Sequence, residues 1–127
     1  MLSSNMEDYL EAIEIATLKK PRKGQKTGAR VSDIRRLMGV KMPSVSGALA
    51  HLRSLGLVEQ EPYGQVFLTK KGLVRAREVK KKHSTVASFL HTIVGVDKGR
   101  AEIEACKIEH AISRSTLKKI TAFLKKH

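Results

Sequence analysis

The sequence has no tryptophan and only two tyrosines and three phenylalanines, so no large aromatic cluster can anchor its interior. With 41% hydrophobic residues, a packed core is still within reach, and its aliphatic character is read as largely helical. The single cysteine, Cys106, excludes an internal disulfide. No run approaches the ~20 apolar residues of a membrane span. The opening "MLSSNMEDYLEAI" is broken by acids where a secretory signal needs an apolar stretch. The protein is therefore expected to be soluble and cytoplasmic, with no membrane partner. Its 127 residues suit one modest domain, or a small domain with an appended helical piece, and fall short of most two-domain enzymes.

What the chain has in excess is positive charge, 25 Lys and Arg against 12 Asp and Glu. The excess is unevenly placed: residues 1–17 carry −4, residues 18–82 carry +13 and residues 83–127 carry +4. A surface for a polyanion belongs in the middle segment, whereas the acidic opening, with Glu7, Asp8, Glu11 and Glu14, has the sign for a cation.

Ser3, Ser4 or Asn5 can cap a first helix with Tyr9, Leu10, Ile13, Ala16 and Leu18 on one face. "KKPRKGQKTGAR", residues 19–30, then reads as a flexible basic loop, either a solvated connector or a phosphate-touching arm. "VSDIRRLMGV" gives a short helix capped by Ser32, with Ile34, Leu37 and Met38 inward and Gly39 at its end. "KMPSVSGALAHLRSLGLV" gives a second helix with Pro43 in its first turn, Val45, Ala48, Leu49 and Leu52 inward, and Gly56 at its end. Two short helices joined by a glycine turn form the helix-turn-helix pattern. "LVEQEPYGQVFLTKKG" alternates around a Pro-Tyr-Gly turn as a hairpin, and a hairpin after a recognition helix is a wing. From Thr69 the pattern is helical again, in one long helix or two segments closed by Gly95. Asp97 can cap the helix carrying "EACKIEH", and Ser113 or Ser115 can open a last helix with Leu117, Ile120 and Leu124 apolar.

Two short stretches carry metal-binding chemistry. In a helix, Cys106, Glu109 and His110 lie at i, i+3 and i+4 on one face, and Asp8 and Glu11 lie at i and i+3 on another; His83 can come from a third. Carboxylates with imidazole suit Mn(II) and Fe(II), and a thiolate moves the preference toward Fe(II), Zn(II) or Co(II). The same residues also read as solvated helix surfaces with a small hydrophobic cysteine. A Cys-His nucleophile is disfavoured, because both residues stand on one helix and no oxyanion-hole loop or phosphate-cradling glycine motif accompanies them. The chain is not read as an enzyme.

"MEDYLEAI", "RVSDIRRLMGVKMPSVSGALAHLRSLGLVE", "LTKKG", "FLHTIVGVD" and "EACKIEHAIS" occur in this order. Together they resemble the diphtheria toxin repressor and manganese transport regulator family of metal-dependent transcriptional repressors, over residues 6 to 124. The resemblance implies a mostly α fold with a small β-hairpin: a winged helix-turn-helix domain over residues 1–72, then a helical metal-binding and dimerisation domain over 73–127. The first helix is expected to pack on both, and no SH3-like domain is expected. It also implies a homodimer on double-stranded operator DNA, activated by a divalent transition metal, Mn(II) or Fe(II), and controlling metal-ion uptake genes.

Carried over by position, the implied metal ligands are Asp8, Glu11, His83, Cys106, Glu109 and His110. Asp8 and Glu11 are manganese-like, Cys106 matches the iron-type cysteine, and His83, Glu109 and His110 are shared by both branches. Ala87 and Glu102 stand where iron-type members have a glutamate and a histidine of an ancillary site, which argues against a separate site of that kind. For DNA, Ser44, Ser46 and Gly47 are expected nearest the bases, with Lys41, Met42 and Pro43 at the leading end of the recognition helix. Arg30, Arg35, Arg53, Lys70 and Lys71 are the expected phosphate contacts, with Tyr63 and Gln65 in the wing. Arg35 and Arg36 also read as a solvated helix face. The competing readings are a metal-independent winged-helix DNA-binding protein and a nucleoid-like protein without sequence preference.

Overall fold

A computed structural model describes residues 2–17, 28–62 and 64–127. Leu18, Tyr63 and residues 19–27 of the basic loop lie outside the described residues. The chain forms two compact units, Met1–Arg77 and Glu78–His127, each with its own apolar cluster.

In the first unit, α1 (Ser4–Thr17) begins where the Ser3 hydroxyl accepts the Met6 N–H at 3.2 Å, one of the three caps the sequence offers. It buries Tyr9, Leu10, Ala12, Ile13 and Ala16 against α2 (Val31–Met38), α3 (Met42–Ser54) and the second wing strand. Ile13, Ile34, Val45, Leu52 and Val66 are completely buried, each worth ~1.5–3 kcal/mol relative to exposure. The recognition helix α3 follows its expected pattern: Pro43 sits in the first turn and Val45, Ala48, Leu49 and Leu52 are its buried stripe.

Helix α2 departs from expectation in two ways. Its N-cap is Arg30, in extended conformation and without a side-chain cap bond, while Ser32 lies inside the helix. The cause is distant in sequence: Ala29 exchanges two 2.8 Å backbone hydrogen bonds with Val66, which holds the backbone extended up to Arg30, where the helix starts. Ala29 therefore makes an isolated antiparallel bridge to Val66 at the edge of the wing. Gly28 makes this approach possible, since a Cβ there would come within 2.8 Å of Gln65 and Phe67. The second departure is Leu37, expected inward but 50% exposed; Ile34 and Met38 face the core instead. Gly39 closes α2 at φ 65°, a conformation that favours glycine.

The wing is an antiparallel pair, β1 (Val58–Gln60) and β2 (Val66–Leu68), with Val58 opposite Leu68 and Gln60 opposite Val66. Thr69 ends it and caps α4 (Lys70–Ser88), accepting the Gly72 N–H at 3.0 Å and donating its hydroxyl to the Gly56 carbonyl at 2.7 Å. The boundary between the two units falls within α4.

In the second unit, α4 is followed by a π-helical turn, Phe89–Val94, closed by Gly95 at φ 89°. Helix α5 (Lys98–Ile108) is capped by the Asp97 carboxylate, which accepts the Arg100 N–H, and α6 (Arg114–Lys126) by the Ser113 hydroxyl. Val86, Ala87 and Ala105 form the buried centre, with Leu90, Ile108, Ile112 and Leu117 around it. Phe89 meets Phe123 edge to face at 6.3 Å. Helix α5 stops at Ile108, so "EACKIEH" is not wholly helical. Glu109 retains helical backbone angles as its C-cap and donates its N–H to Ala105, and His110 lies in the following turn. Residues 109–113 turn the chain into α6, which leaves no room for another helical turn before the Ser113 cap.

Candidate metal centre and nucleic-acid interface

The second unit gathers four residues singled out in the sequence, His83, Cys106, Glu109 and His110, into one cluster. His83, on α4, points its Nδ1 at the Glu109 carboxylate, 2.8 Å away, with the Cys106 Sγ 3.6 Å from the same nitrogen. His110 Nε2 lies 3.4 Å from the other oxygen of Glu109. Glu109 is only 1% exposed, and a buried carboxylate persists only with partners that repay its lost hydration. Its partners here include two imidazoles, so the cluster is polar. The donor set of carboxylate, imidazole and thiolate suits a first-row divalent ion, and Cys106 is exposed and so open to one.

A residue absent from the expected ligand set completes the group. The Glu102 carboxylate lies 2.5 Å from His83 Nε2, so the ring is held on both sides by acids. Burial works against the charged imidazole, but the hydrogen bonds and negative charge of Glu102 and Glu109 outweigh it and raise the His83 pKa. Helical spacing could have placed Glu102 one turn before Cys106; it could not show that α4 brings His83 opposite that turn.

In the first unit, Asp8 and Glu11 occupy adjacent turns of α1, both half-buried beside the fully covered Tyr9, Leu10, Ala12 and Ile13. This puts two carboxylates at the margin of an apolar core.

The outward face of α3 carries Met42, Pro43, Ser44, Ser46 and Gly47, all exposed, with Lys41 as N-cap. Nothing lies within 4 Å of where a Gly47 Cβ would stand, so packing within the chain does not require a glycine there. Arg30, Arg35, Lys70 and Lys71 are exposed, and Gln65 is half-buried. Among the arginines of α2, Arg36 pairs with Asp33 at 3.4 Å, which leaves Arg35 the better disposed to an external anion. Arg53 is partly engaged inside the unit, donating to the Gln60 side chain of β1 at 2.7 Å. Lys71 reaches the Leu55 carbonyl at 3.4 Å.

The chain is similar to known proteins in sequence and architecture. The model of the iron dependent repressor N-terminal DNA binding domain matches residues 1–66, and that of the iron dependent repressor metal binding and dimerisation domain matches residues 69–127. An uncharacterized HTH-type transcriptional regulator of Methanocaldococcus jannaschii is 35% identical over 125 residues, covering 98% of this chain and 96% of its own length. The transcriptional regulator MntR of Salmonella typhimurium is 34% identical over 122 residues, covering 96% of this chain and 73% of its own. Among solved structures, a manganese-dependent transcriptional repressor in complex with manganese superposes with a TM-score of 0.82 at 26% identity, covering 94% of this chain. The chain spans about half, 52%, of that solved structure's length.

Proposed function

The chain belongs to the iron-dependent repressor family, and from that premise we propose that it is a homodimeric transcriptional repressor in the cytoplasm that binds operator DNA when Mn(II) or Fe(II) is bound and controls metal-ion uptake genes. Residues 1–72 form the DNA-binding part and residues 73–127 the metal-binding and dimerising part. The observation that carries the reading is the convergence of Cys106 and Glu109 on His83 Nδ1, at 3.6 and 2.8 Å, in a chain whose other unit is a winged helix-turn-helix.

Asp8, Glu11, His83, Cys106, Glu109 and His110 would hold the ion. When bound, it supplies positive charge among carboxylates that otherwise repel one another, and directional bonds to imidazole and thiolate. Drawing both donor sets to one place narrows the arrangements open to the DNA-binding heads, which favours the spacing that matches two half-sites. Val94, Ile103 and Phe123 are exposed apolar side chains in the second unit and support pairing through that part of the chain.

At the DNA, short side chains on α3 let its backbone approach the major groove closely, with Arg30, Arg35, Arg53, Lys70 and Lys71 on phosphates and Tyr63 and Gln65 in the wing. Gly47→Ala tests this contact with two readouts of opposite sign. Alanine should stabilise the helix by ~0.5–1 kcal/mol, since the space is open, yet weaken operator binding because the added methyl faces the groove. A thermal melt and a gel-shift titration on the same variant measure the two; a variant that binds operator as tightly as the original would remove Gly47 from the interface.

The overall reading is tested by operator binding with Mn(II) and with a chelator, for the unaltered chain and for Asp8→Ala and His110→Ala. Metal should tighten binding by the unaltered chain and leave both folded variants unresponsive. Equal affinities of the unaltered chain with metal and with chelator would favour the metal-independent DNA-binding protein instead.

A further inference from the structure

The candidate ligand set does not use Glu102, yet Glu102 makes the shortest contact to the central imidazole, 2.5 Å to His83 Nε2. We propose that Glu102 is a positioning residue of the metal centre: it takes the Nε2–H of His83 and so presents Nδ1 to the side of Cys106 and Glu109. This deepens the metal-site reading and rests on it.

The geometry separates the two ring nitrogens. Nδ1 faces Glu109 at 2.8 Å and Cys106 at 3.6 Å, both donor groups. Nε2 faces Glu102 alone among the described residues. A neutral imidazole carries one N–H and one lone pair, so whichever nitrogen is held as a donor leaves the other to bind. A carboxylate is the strongest ordinary acceptor for that N–H, and such partners fix both the tautomer and the ring orientation of a ligating histidine. Glu102 is suited to this because it is itself positioned by α5, four residues before Cys106, on the same helix as the thiolate it would cooperate with. Its side chain is 54% exposed against 1% for Glu109, which sets it at the rim of the cluster, where a supporting acceptor belongs.

Glu102→Ala and Glu102→Gln separate positioning from charge. The glutamine carbonyl can still accept the Nε2–H, whereas alanine cannot. In the metal-free chain, ¹⁵N shifts of the His83 ring at high pH should report the Nε2–H tautomer in the unaltered protein and in Glu102→Gln, and a shift toward the Nδ1–H form in Glu102→Ala. Mn(II) affinity, read from the free-ion paramagnetic resonance signal, should fall about 10–100-fold in Glu102→Ala and recover in Glu102→Gln. Equal losses in the two variants, or an unchanged tautomer and affinity in Glu102→Ala, would overturn the assignment. If the unaltered chain itself fails to bind Mn(II), the metal reading falls, and the tautomer measurement still decides whether Glu102 holds the ring.

Discussion

Glu109→Gln should give a folded chain whose operator binding no longer responds to Mn(II), with Mn(II) affinity reduced by about 100-fold or more. The substitution keeps the shape of a side chain that is 1% exposed and keeps a polar group facing His83 Nδ1, 2.8 Å away in the present structure, since the amide N–H can donate to that nitrogen. What it removes is the negative charge between two imidazoles. Without metal, and at a pH where the imidazoles are neutral, that removal relieves the cost of a buried carboxylate without stranding a charge, so the melting temperature of the metal-free protein should stay constant or rise. With metal, the chain loses its most deeply placed charged donor. The two readouts move apart, which distinguishes a ligand from a residue that merely supports the fold. A variant melting well below the original would assign Glu109 a structural role, and one with intact Mn(II) response would remove it from the centre.

Gly72→Ala should destabilise the first unit by about 3 kcal/mol, at the upper end of overpacking costs, lowering the melting temperature by roughly 10 °C. Alanine is intrinsically the better helix former, and the position lies inside α4, so propensity alone predicts the opposite sign. The surroundings decide: a Cβ at position 72 would stand 1.9 Å from the Leu57 carbonyl oxygen, and neither backbone can yield without disturbing its neighbours. Leu57 is anchored there, accepting the Thr69 N–H at 3.1 Å, while Thr69 caps α4 and binds Gly56. Gly99→Ala is the matched control. It is also helical, and its nearest neighbour beyond the adjoining residues is the Asp97 carboxylate at 3.5 Å, an ordinary contact. That variant should melt at or slightly above the original temperature, and equal behaviour of the two glycines would refute the close-approach argument.

Features set by local chemistry were legible in the sequence. The buried stripe of α3, the glycine ends at Gly39 and Gly95 and the caps at Asp97 and Ser113 follow from spacing and from residue types with one dominant conformational use. Features set by distant partners were not. Ser32 is a good cap by type, but the pairing of Ala29 with Val66, thirty-seven positions further on, overrides it. Leu37 fits the apolar pattern of α2, yet an eight-residue helix has room for few inward positions, and Ile34 and Met38 fill them. The π-helical turn at Phe89–Val94 has no compositional mark.

The site divides in the same way. Residue types and the family resemblance single out His83, Cys106, Glu109 and His110, whereas Glu102 emerges only when α4 and α5 are seen side by side. Spacing along one helix reveals shared faces, and a contact between helices nineteen residues apart requires the fold itself.

The hydrogen bond from Arg53 to Gln60 joins the recognition helix to the wing. Arg53 lies in the last turn of α3 and Gln60 ends the first wing strand, so one guanidinium serves as a strut between the two elements while also facing outward. Position 53 is thereby constrained from two directions. Loss of either side chain releases the other, so substitutions at 53 and 60 are expected to be non-additive in a double-mutant cycle.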